Sequence, residues 1–537
     1  MEGKIRWLRN GCLLGLVLLA VRLGYLQLVR GEALSEEAAR QRWVEVMEQG
    51  NRGDITDRHF CSLTQAGEQW TAVVTPNQVE DGAALYRQLK PFCSWSAGEF
   101  LQKLSGGRIF TVPLLEEPDF SETKGLETAV TAKRYCKDSV AEHVLGYCSG
   151  AEGAAGLELA YDDVLADGGG LSAGAEADAT GKKITEFSIQ EEPEQERNVR
   201  LTLDASLQNI VEQTGKDMIH CGAAVLLEVS TSDVLAMASF PAFDPSDVTQ
   251  AISSPDGAMV NRAMCAYDAG SVFKIVVAAA ALEEGVDLGW YRCNGSVEIG
   301  ESGTRVSCYN GIAHGEVSLP EAFCKSCNCY FIELGQRLGA DCILDMAETF
   351  GIGSAYDLFH SSGEQQDGAG ERRAYYDGEI ANMSIGQGQV MLTPLRGAEL
   401  SAIVAAGGVR HKVNLVDCIT DGNQKVIRQI AEFQRQRVIK KETAQLLQSM
   451  MYMTTVSGTA KNMELDSLGG AGCKTGTAQT GWGEGEDNKV HSWITGFFPA
   501  QNPRYALCVF VENGENEGVS ASRVFEQIVK QILTKGD

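Results

Sequence analysis

Basic residues are scarce in this sequence relative to acidic ones. The 537 residues include 46 lysines and arginines against 72 aspartates and glutamates, which gives a formal net charge of −26. This charge would repel nucleic-acid phosphates, so the composition argues against a nucleic-acid partner and indicates a soluble surface. Internal sequence repeats are also lacking. The length predicts two or three domains, and the apolar content of 44% indicates globular ones.

Regularly spaced cysteine pairs are missing, although the chain contains 16 cysteines. They are scattered, at a density below that of a disulfide scaffold. The tightest group is Cys324, Cys327 and Cys329, for which zinc would need a fourth ligand or an open catalytic position. Because no second close cysteine pair follows, the sequence predicts no metal and no cofactor, and these cysteines are expected to be small buried hydrophobes.

A different cysteine pair is the best candidate for a disulfide. Cys293 and Cys308 bracket "NGSVEIGESGTRVS", whose strand-like ends and central glycines predict a hairpin. The bond is expected only in an oxidising compartment, and a separation of the Cα atoms above about 7 Å would rule it out.

The N-terminus lacks an uninterrupted apolar run of membrane-spanning length. Lys4, Arg6 and Arg9 precede an apolar stretch at 11–29, which Arg22 interrupts. The part before Arg22 is short enough for a signal-peptide core, but no small-x-small cleavage site follows it. Since Arg22 can snorkel to the interface, we expect an uncleaved, single-pass anchor in the cell membrane. Residues 1–10 form the cytoplasmic tail, and the bulk of the chain lies outside.

Changes in composition divide the remaining chain near residue 200. The segment "GEALSEEAARQRWVEVMEQG" reads as a polar helix or stalk that ends at Gly50, and 168–198 reads as loops and a linker. We therefore expect one domain over 30–198 and another over 199–537. In the second domain, strand pairs near both ends enclose mainly helical segments. This pattern predicts an α/β (α+β) fold with a central antiparallel sheet flanked by helices.

The segment "AYDAGSVFKIVVAAAALEEG" carries a hydroxyl and an amine at the start of an apolar helix. Ser271 and Lys274 are three residues apart, so a helix places both side chains on one face. The apolar run predicts a buried helix, whose N-terminal N–H groups can stabilise an oxyanion. A buried amine has a lowered pKa and can act as a base towards a serine. Ser121 and Lys124 repeat the spacing without an apolar helix behind them, so we interpret that match as surface.

A second candidate segment is "SLPEAFCKSCNCYFIELGQRLG". Ser318 and Glu321 have capping-box spacing, and Ser326 and Asn328 lie between two helical pieces. A hydroxyl and an amide in this arrangement can relay a proton and hydrogen-bond a peptide-like substrate. An isolated Ser-x-Asn is more often an ordinary helix junction.

A third candidate segment is "GGAGCKTGTAQTGWG". Read as a strand, it offers the Lys474 ammonium and the Thr475 hydroxyl to a carboxylate, and Gly476 allows close approach of a ligand backbone. The alternative is a glycine-rich turn.

Taken in order, Ser-x-x-Lys, Ser-x-Asn and Lys-Thr-Gly resemble the three signatures of penicillin-binding proteins and serine β-lactamases. "SIGQGQVMLTPLRGAELSAIVAAGG" and "VSGTA" are also similar to the transpeptidase domain of class B penicillin-binding proteins. Upstream, "NRGDITDR", "AAGLELAYDDVL" and "LTLDASLQ" resemble the pedestal, or dimerisation, domain of that class. Ala269 stands where proline is usual, Val272 where threonine is commoner, and His59-Phe60 where Asn-Gly is usual. None of these departures removes a reactive group.

The resemblance implies a membrane-anchored peptidoglycan D,D-transpeptidase that β-lactams acylate and inhibit. Ser271 would attack the penultimate D-alanine carbonyl of a stem peptide ending in D-Ala-D-Ala and pass the acyl group to a neighbouring amine. Backbone N–H groups of Ser271 and Thr477 would form the oxyanion hole. Lys474 and Thr475 would hold the terminal carboxylate, with Gly476 and Thr477 completing the substrate-binding strand.

Two other functions remain open at this point. One is a hydrolase of the same superfamily, a D,D-carboxypeptidase or β-lactamase, and the other is a non-catalytic β-lactam-binding scaffold or sensor. The pedestal and the membrane-exit segment resemble the class B arrangement, which argues against the first. The three intact signatures argue against the second. Because no second catalytic domain precedes the pedestal, the resemblance implies a separate membrane glycosyltransferase as partner.

Overall fold

The computed structural model of the protein describes most of the chain after residue 42. The described residues are 43–50, 52–107, 110–118, 123–150, 152–166, 170–176, 188–191, 197–300, 303–359, 367–479, 490–514, 518 and 520–535, with scattered positions between 7 and 26. The anchor expected at 11–29 lies partly outside them. Within these ranges, none of the helices combines the length and the apolar character needed to cross a membrane.

The strands are numbered in chain order. They are β1 Trp43–Gly50, β2 Ile55–Thr56, β3 Gly67–Val74, β4 Phe110–Pro113, β5 Leu126–Lys133, β6 Cys148–Ser149, β7 Glu152–Gly153, β8 Gly170–Glu176, β9 Ser188–Glu191, β10 Arg197–Leu201, β11 Gly222–Glu228, β12 Val234–Phe240, β13 Tyr267–Asp268, β14 Tyr291–Cys293, β15 Ser296–Ile299, β16 Thr304–Ser307, β17 Gly315–Val317, β18 Met391–Leu392, β19 Val409–His411, β20 Val416–Asp421, β21 Val426–Gln429, β22 Arg435–Arg437, β23 Gly472–Gln479, β24 Val490–Phe498 and β25 Tyr505–Val511.

The α-helices are numbered in the same way. They are α1 Gly82–Leu89, α2 Ala97–Ser105, α3 Glu142–Leu145, α4 Gly156–Ala160, α5 Asp162–Leu165, α6 Ala205–Met218, α7 Thr249–Ile252, α8 Lys274–Glu284, α9 Leu319–Cys324, α10 Asn328–Leu338, α11 Ala340–Thr349, α12 Asp377–Ser384, α13 Pro394–Ala405, α14 Lys441–Val456 and α15 Ala521–Lys535. Short 3-10 turns lie between some of them, including one at Gly270–Phe273 that leads directly into α8.

The chain forms two compact units, and both are discontinuous in sequence. The smaller unit comprises Met1–Arg52, Gly67–Lys133 and Asp167–Gln195, and the larger unit comprises Gly53–Ala66, Arg134–Ala166 and Glu196–Asp537. The boundary expected near residue 200 lies close to the last point at which the chain passes from the smaller unit to the larger one, between Gln195 and Glu196. The continuous domain expected over 30–198, however, contains two segments that the structure assigns to the larger unit.

In the smaller unit, β3 pairs on both sides with antiparallel neighbours, β4 and β5. Val74, Leu89 and Phe100 are fully buried in its core. The expectation of a polar helix or stalk that ends at Gly50 is wrong over 43–50. This segment is strand β1, and it pairs with β8. The loops expected at 168–198 also include strands β8 and β9. In these segments, pairing between distant strands overrides a weak local preference.

The larger unit is organised around a five-stranded sheet in the order β12-β11-β25-β24-β23. Every neighbouring pair is antiparallel, so the expected sheet built from both ends of this domain is confirmed. The sheet carries helices on both faces, because side chains of successive strand residues point to opposite sides. Val225 packs in the core that contains α8 and α13, whereas Leu226 packs in the core that contains α6 and α15.

Helix α8 is a central buried helix, as its sequence predicts. Its residues from Lys274 to Ala281 are fully buried, and only its C-terminal end reaches solvent. Gly285 ends the helix with a φ of 70°, a left-handed conformation that glycine adopts without steric cost. The helix therefore holds its first residue, Lys274, inside the domain core.

Candidate active site

Ser271 lies in the 3-10 turn immediately before α8. The Ser271 side chain is partly exposed, whereas Val272, Phe273 and Lys274 are buried. The turn is tied to the segment after α12, because the Gly270 N–H donates to the Gly386 carbonyl at 2.7 Å and the Ala269 N–H donates to the Val390 carbonyl at 3.1 Å. The serine is thus partly exposed, on a turn that both hydrogen bonds and core packing hold in place.

Two glycines allow this turn to lie directly against strand β23. Gly270 has a φ of 55°, and a Cβ atom there would lie 2.7 Å from the Thr477 carbonyl oxygen. A Cβ atom at Gly476 would lie 3.1 Å from both Val272 Cγ1 and Trp493 Cβ. The close approach places the backbone of Ser271 beside the Lys-Thr-Gly strand, as the sequence predicts for a single site.

Lys274 is hydrogen-bonded to the Ser-x-Asn segment. Its Nζ atom lies 2.7 Å from Asn328 Oδ1, 2.9 Å from the Ser326 carbonyl oxygen and 3.3 Å from Ser326 Oγ. A neutral amine has two N–H groups and one lone pair. Donation to the amide and carbonyl oxygens uses both N–H groups and leaves the lone pair for a hydroxyl proton.

Lys474 approaches the same serine from β23. Its Nζ atom lies 3.0 Å from Ser326 Oγ and 2.8 Å from the Thr475 carbonyl oxygen. The Ser326 hydroxyl therefore bridges two lysines that are both fully buried. Ser326 has a φ of 56°, a backbone conformation that non-glycine residues adopt rarely and that clusters at functional sites.

The pKa of each of these two lysines is lowered, so both lose their protons more readily than an exposed lysine does. Burial lowers the pKa of Lys274 to about 8, against the opposing effect of the nearby thiols of Cys327, Cys308 and Cys329. Burial, together with the charge of Lys274, lowers the pKa of Lys474 well below its usual value. Since two like charges sharing one hydroxyl repel each other, the geometry favours at most one ammonium.

The structure brings the predicted residues together from three parts of the larger unit. Lys274, Ser326, Asn328 and Lys474 form one hydrogen-bonded cluster, Ser271 lies one turn before Lys274, and Thr475, Gly476 and Thr477 continue along β23. The capping box of Ser318 and Glu321 is present, and Ser326 and Cys327 lie between α9 and α10, as expected. The competing match begins at Ser121, which lies outside the described residues.

Two contacts at the site were not expected from the sequence. The Thr459 hydroxyl lies 2.5 Å from the Thr475 hydroxyl, and the Asn328 amide donates to the Ser307 carbonyl at 3.0 Å. The segment "VSGTA" carries Thr459 and was assigned no role. Ser307 ends β16, which no motif marks. Both contacts depend on the tertiary fold.

The cysteines singled out from the sequence are buried, but their bonding and their grouping differ from the prediction. The hairpin between Cys293 and Cys308 is confirmed as β15 and β16, and the two Sγ atoms lie 3.7 Å apart without a bond. Cys324, Cys327 and Cys329 are buried, as expected, but Cys327 groups with Cys293, Cys308 and His314 in an arrangement that could hold a metal ion. The expectation of no metal rests on close sequence neighbours, whereas these four groups come from three separate segments.

Comparison with known proteins agrees with this geometry. The penicillin binding protein transpeptidase domain family matches residues 222–533, which include every residue of the cluster. The chain belongs to this family. Since the match covers more than half of the chain, the α/β transpeptidase fold is established for the larger unit.

Curated relatives extend the family assignment to class B penicillin-binding proteins. The chain is 29% identical to the stage V sporulation protein D of Bacillus subtilis, over 96% of this chain and 82% of that protein. It is 30% identical to the peptidoglycan D,D-transpeptidase PbpA of Mycobacterium tuberculosis, over 74% of this chain and 84% of that protein.

Solved structures give the same result. The structure of penicillin-binding protein A from M. tuberculosis, as its penicillin G acyl-enzyme complex, superimposes with a TM-score of 0.63. That structure is 26% identical in sequence, and the comparison covers 76% of this chain and 94% of the other. The recognition from the three motifs is therefore confirmed.

Proposed function

We propose that this protein is a peptidoglycan D,D-transpeptidase, with Ser271 as the nucleophile that forms an acyl-enzyme. The observation that carries the proposal is the Ser326 hydroxyl, which lies within hydrogen-bonding distance of the two buried amines of Lys274 and Lys474. Such an arrangement can take a proton from one hydroxyl and return it to a leaving amine. Named relatives with this activity support the assignment.

In the acylation step, the neutral amine of Lys274 takes the proton of the Ser271 hydroxyl. The serine oxygen then attacks the carbonyl carbon of the penultimate D-alanine of a stem peptide. The backbone N–H groups of Ser271 and Thr477 stabilise the resulting oxyanion. The C–N bond breaks, and the departing D-alanine receives a proton from Lys274 through the Ser326 hydroxyl, which regenerates the neutral lysine.

In the transfer step, an amine of a neighbouring stem peptide attacks the acyl carbon of the Ser271 ester. Lys274 takes the proton that the amine loses and returns it to the serine oxygen as the ester bond breaks. The product is a new amide crosslink, and the free enzyme is restored. A β-lactam enters the same acylation step but keeps its leaving group attached, so it stays on Ser271.

Strand β23 supplies the groups that bind substrate. Thr475 is partly exposed and hydrogen-bonded to Thr459, so its hydroxyl is held at the strand surface. When protonated, Lys474 places a positive charge next to the Thr475 hydroxyl. The ammonium and the hydroxyl together can hold the terminal carboxylate of the stem peptide. The absence of a side chain at Gly476 lets the substrate backbone lie along the strand, with Thr477 next to it.

The domain arrangement is part of the proposal. A cytoplasmic tail at 1–10 and a single transmembrane anchor at 11–29 hold the chain in the cell membrane, with the catalytic domain outside. A pedestal domain formed from residues within 30–198 precedes the transpeptidase domain at 199–537, although 53–66 and 134–166 belong to the same compact unit as the latter. The resemblance to class B penicillin-binding proteins also implies a membrane glycosyltransferase as the partner that supplies the glycan strands.

The test is acylation of the full chain by a labelled penicillin, followed by mass spectrometry of the labelled peptide. We expect one label, on Ser271. Ser271→Ala should abolish labelling, and the matched Ser-x-x-Lys control Ser121→Ala should leave it intact. Labelling that survives the loss of Ser271 would overturn the assignment.

The same preparation distinguishes transpeptidase from hydrolase and from sensor. With a stem peptide ending in D-Ala-D-Ala and an excess of a competing amine, a transpeptidase releases D-alanine and forms the amide. Release of D-alanine with only the hydrolysed peptide would favour a carboxypeptidase. Labelling by penicillin without any release of D-alanine would favour the sensor.

A further inference from the structure

Four side chains of the larger unit bring metal-binding atoms together next to the Ser-x-Asn segment. One ligand atom from each of Cys293, Cys308, Cys327 and His314 lies within 4.8 Å of all the others. Cys308 Sγ is 3.7 Å from Cys293 Sγ and 3.8 Å from Cys327 Sγ. Cys293 Sγ is 3.6 Å from His314 Nδ1. The group has no role in the proposed transfer reaction.

These separations match the edges of a coordination tetrahedron. With Zn–S bonds of about 2.3 Å and Zn–N bonds of about 2.0–2.1 Å, two sulfur ligands lie about 3.8 Å apart and a sulfur and a nitrogen about 3.6 Å apart. A disulfide would instead hold its sulfurs at about 2.05 Å. Three thiolates and one imidazole also bind zinc in preference to hard cations.

The fold brings these ligands together from three segments. Pairing of β14 with β17 places Cys293 opposite Gly315, and therefore beside His314. The hairpin of β15 and β16 returns the chain to Cys308. Cys327 is the residue directly before α10. An ion at their centre would fasten two small sheets, which bury little apolar surface of their own, to the start of α10.

The surroundings suit a closed structural site. Cys293, Cys308 and Cys327 are each at most 2% exposed, and His314 is half-buried. The Gly295 N–H donates to Cys293 Sγ at 3.4 Å, a backbone contact of the kind that supports metal-bound thiolates. Since all four positions are filled by protein, the site leaves no open coordination position for catalysis.

We propose that Cys293, Cys308, Cys327 and His314 bind one structural Zn²⁺ ion that fixes the Ser-x-Asn segment. Binding releases the three thiol protons to solvent, so three thiolates and a neutral imidazole hold the ion. Cys327 lies between Ser326 and Asn328, the two residues that hydrogen-bond to Lys274. Holding Cys327 holds the backbone that directs both side chains, so Cys327 is a positioning residue.

Neighbouring groups supply matched controls. Cys324 is equally buried and only three residues from Cys327, but its thiol donates to the Glu321 carbonyl at 3.4 Å and lies outside the four-ligand group. His220, Cys221 and Asp256 form a second, largely exposed set of possible ligands. Variants at Cys324 and His220 therefore report on the loss of a cysteine or a histidine without loss of the proposed site.

The direct test is the zinc content of the full chain, purified without added metal and measured by mass spectrometry of the elements. We expect about one zinc per chain. Cys293→Ser and His314→Ala should each lose most of it, while Cys324→Ser and His220→Ala keep it. Ser271→Ala should also keep it, which makes the result independent of the proposed enzymatic function.

Replacing zinc with cobalt in the wild-type chain tests the site even if the ligand variants fail to fold. Co²⁺ in the wild-type chain should give thiolate-to-metal charge-transfer bands and the intense d–d bands of a tetrahedral site. Weak octahedral bands, a wild-type chain without zinc, or a Cys293–Cys308 disulfide in non-reduced peptides would each overturn the proposal. Full zinc content in Cys293→Ser would do the same.

The positioning role has a separate readout. Removing zinc from the wild-type chain should lower the rate constant for acylation of Ser271 by at least tenfold, with little change in the affinity of the initial penicillin complex. Adding zinc back should restore the rate, and Cys324→Ser should acylate normally. A zinc-free chain that acylates at the full rate would overturn the positioning role and leave the zinc site standing.

Discussion

At the scale of single residues, the protonation of Lys274 should set the pH dependence of acylation. The amine acts as a base only when neutral, and burial lowers its pKa to about 8. The charged or titratable groups around it are Lys474 and the thiols of Cys308, Cys327 and Cys329. The rate should therefore rise about tenfold per pH unit below about pH 7 and level off above about pH 9.

The measurement is the second-order rate constant for a fluorescent penicillin between these limits. Lys274→Arg keeps the positive charge but has no neutral form in this range, so it should acylate at least a hundredfold more slowly at every pH. A wild-type rate that stays flat from pH 6 to pH 9 would exclude Lys274 as the titrating base.

Also at the residue scale, the acyl-enzyme should resist water. In the described part of the chain, Lys274, Ser326, Asn328 and Lys474 hydrogen-bond to one another and to backbone carbonyls, and to no carboxylate. Glu283 lies about 18 Å along the helix from Ser271 and forms an ion pair with Lys440 at 3.2 Å. Among the described residues, the hydrogen bonds of this cluster therefore bring in no carboxylate that could activate water near Ser271.

The lifetime of the penicilloyl adduct checks this prediction. The adduct should persist for at least tens of minutes, and an excess of amine should divert a stem-peptide acyl group into amide product. An adduct that clears within seconds would instead indicate a hydrolase.

At the scale of elements, activity should depend on how closely the serine turn lies against β23. Gly270→Ala puts a Cβ atom 2.7 Å from the Thr477 carbonyl, so turn and strand must separate. Gly285→Ala, at the other end of α8, introduces a similar left-handed strain but has no atom within 4 Å of the new Cβ. Each substitution should cost about 1 kcal/mol of strain.

Only the first of these substitutions should also slow acylation, by at least tenfold. Thermal unfolding and penicillin acylation of the two purified variants separate the effects. Equal acylation rates in Gly270→Ala and Gly285→Ala would show that the contact between turn and strand is not needed.

Local sequence patterns were sufficient to predict the helices and strands whose defining residues follow one another along the chain. The apolar run of α8, the capping box of α9 and the alternating or apolar strands β11, β12, β24 and β25 were all predicted, because burial and caps leave a local pattern. Strands β1 and β8 were not predicted. The glycine- and alanine-rich β8 has weak strand preference, and it becomes a strand by pairing with a segment more than a hundred residues away.

The hydrogen-bonded cluster of Lys274, Ser326, Asn328 and Lys474 was predictable for a different reason, since three short motifs mark it. No comparable pattern marks the contact of Thr459 with Thr475, or the group of Cys293, Cys308, Cys327 and His314. Their spacing along the chain is irregular, and only the sheet pairings and the start of α10 bring them together. Side-chain clusters from separate segments are therefore the part of the site that local sequence patterns miss.

At the scale of the whole molecule, the proposed function requires the catalytic domain to face the cell wall. Lys4, Arg6 and Arg9 precede the apolar stretch at 11–29, and such basic flanks remain in the cytoplasm. In intact protoplasts, added protease should digest nearly the whole chain and leave only a short N-terminal fragment that carries an N-terminal tag. Detergent lysis, as the control, should expose that fragment too.

Charge reversal makes the topology test sharper. Replacing Lys4, Arg6 and Arg9 together with glutamate removes the orienting charge without changing the apolar stretch, so a fraction of the chains should become protected. The protected fraction should not label with a penicillin that cannot cross the membrane, because Ser271 is then inside. Full protection of the wild-type chain in intact protoplasts would reverse the proposed topology, and with it the access of this site to peptidoglycan.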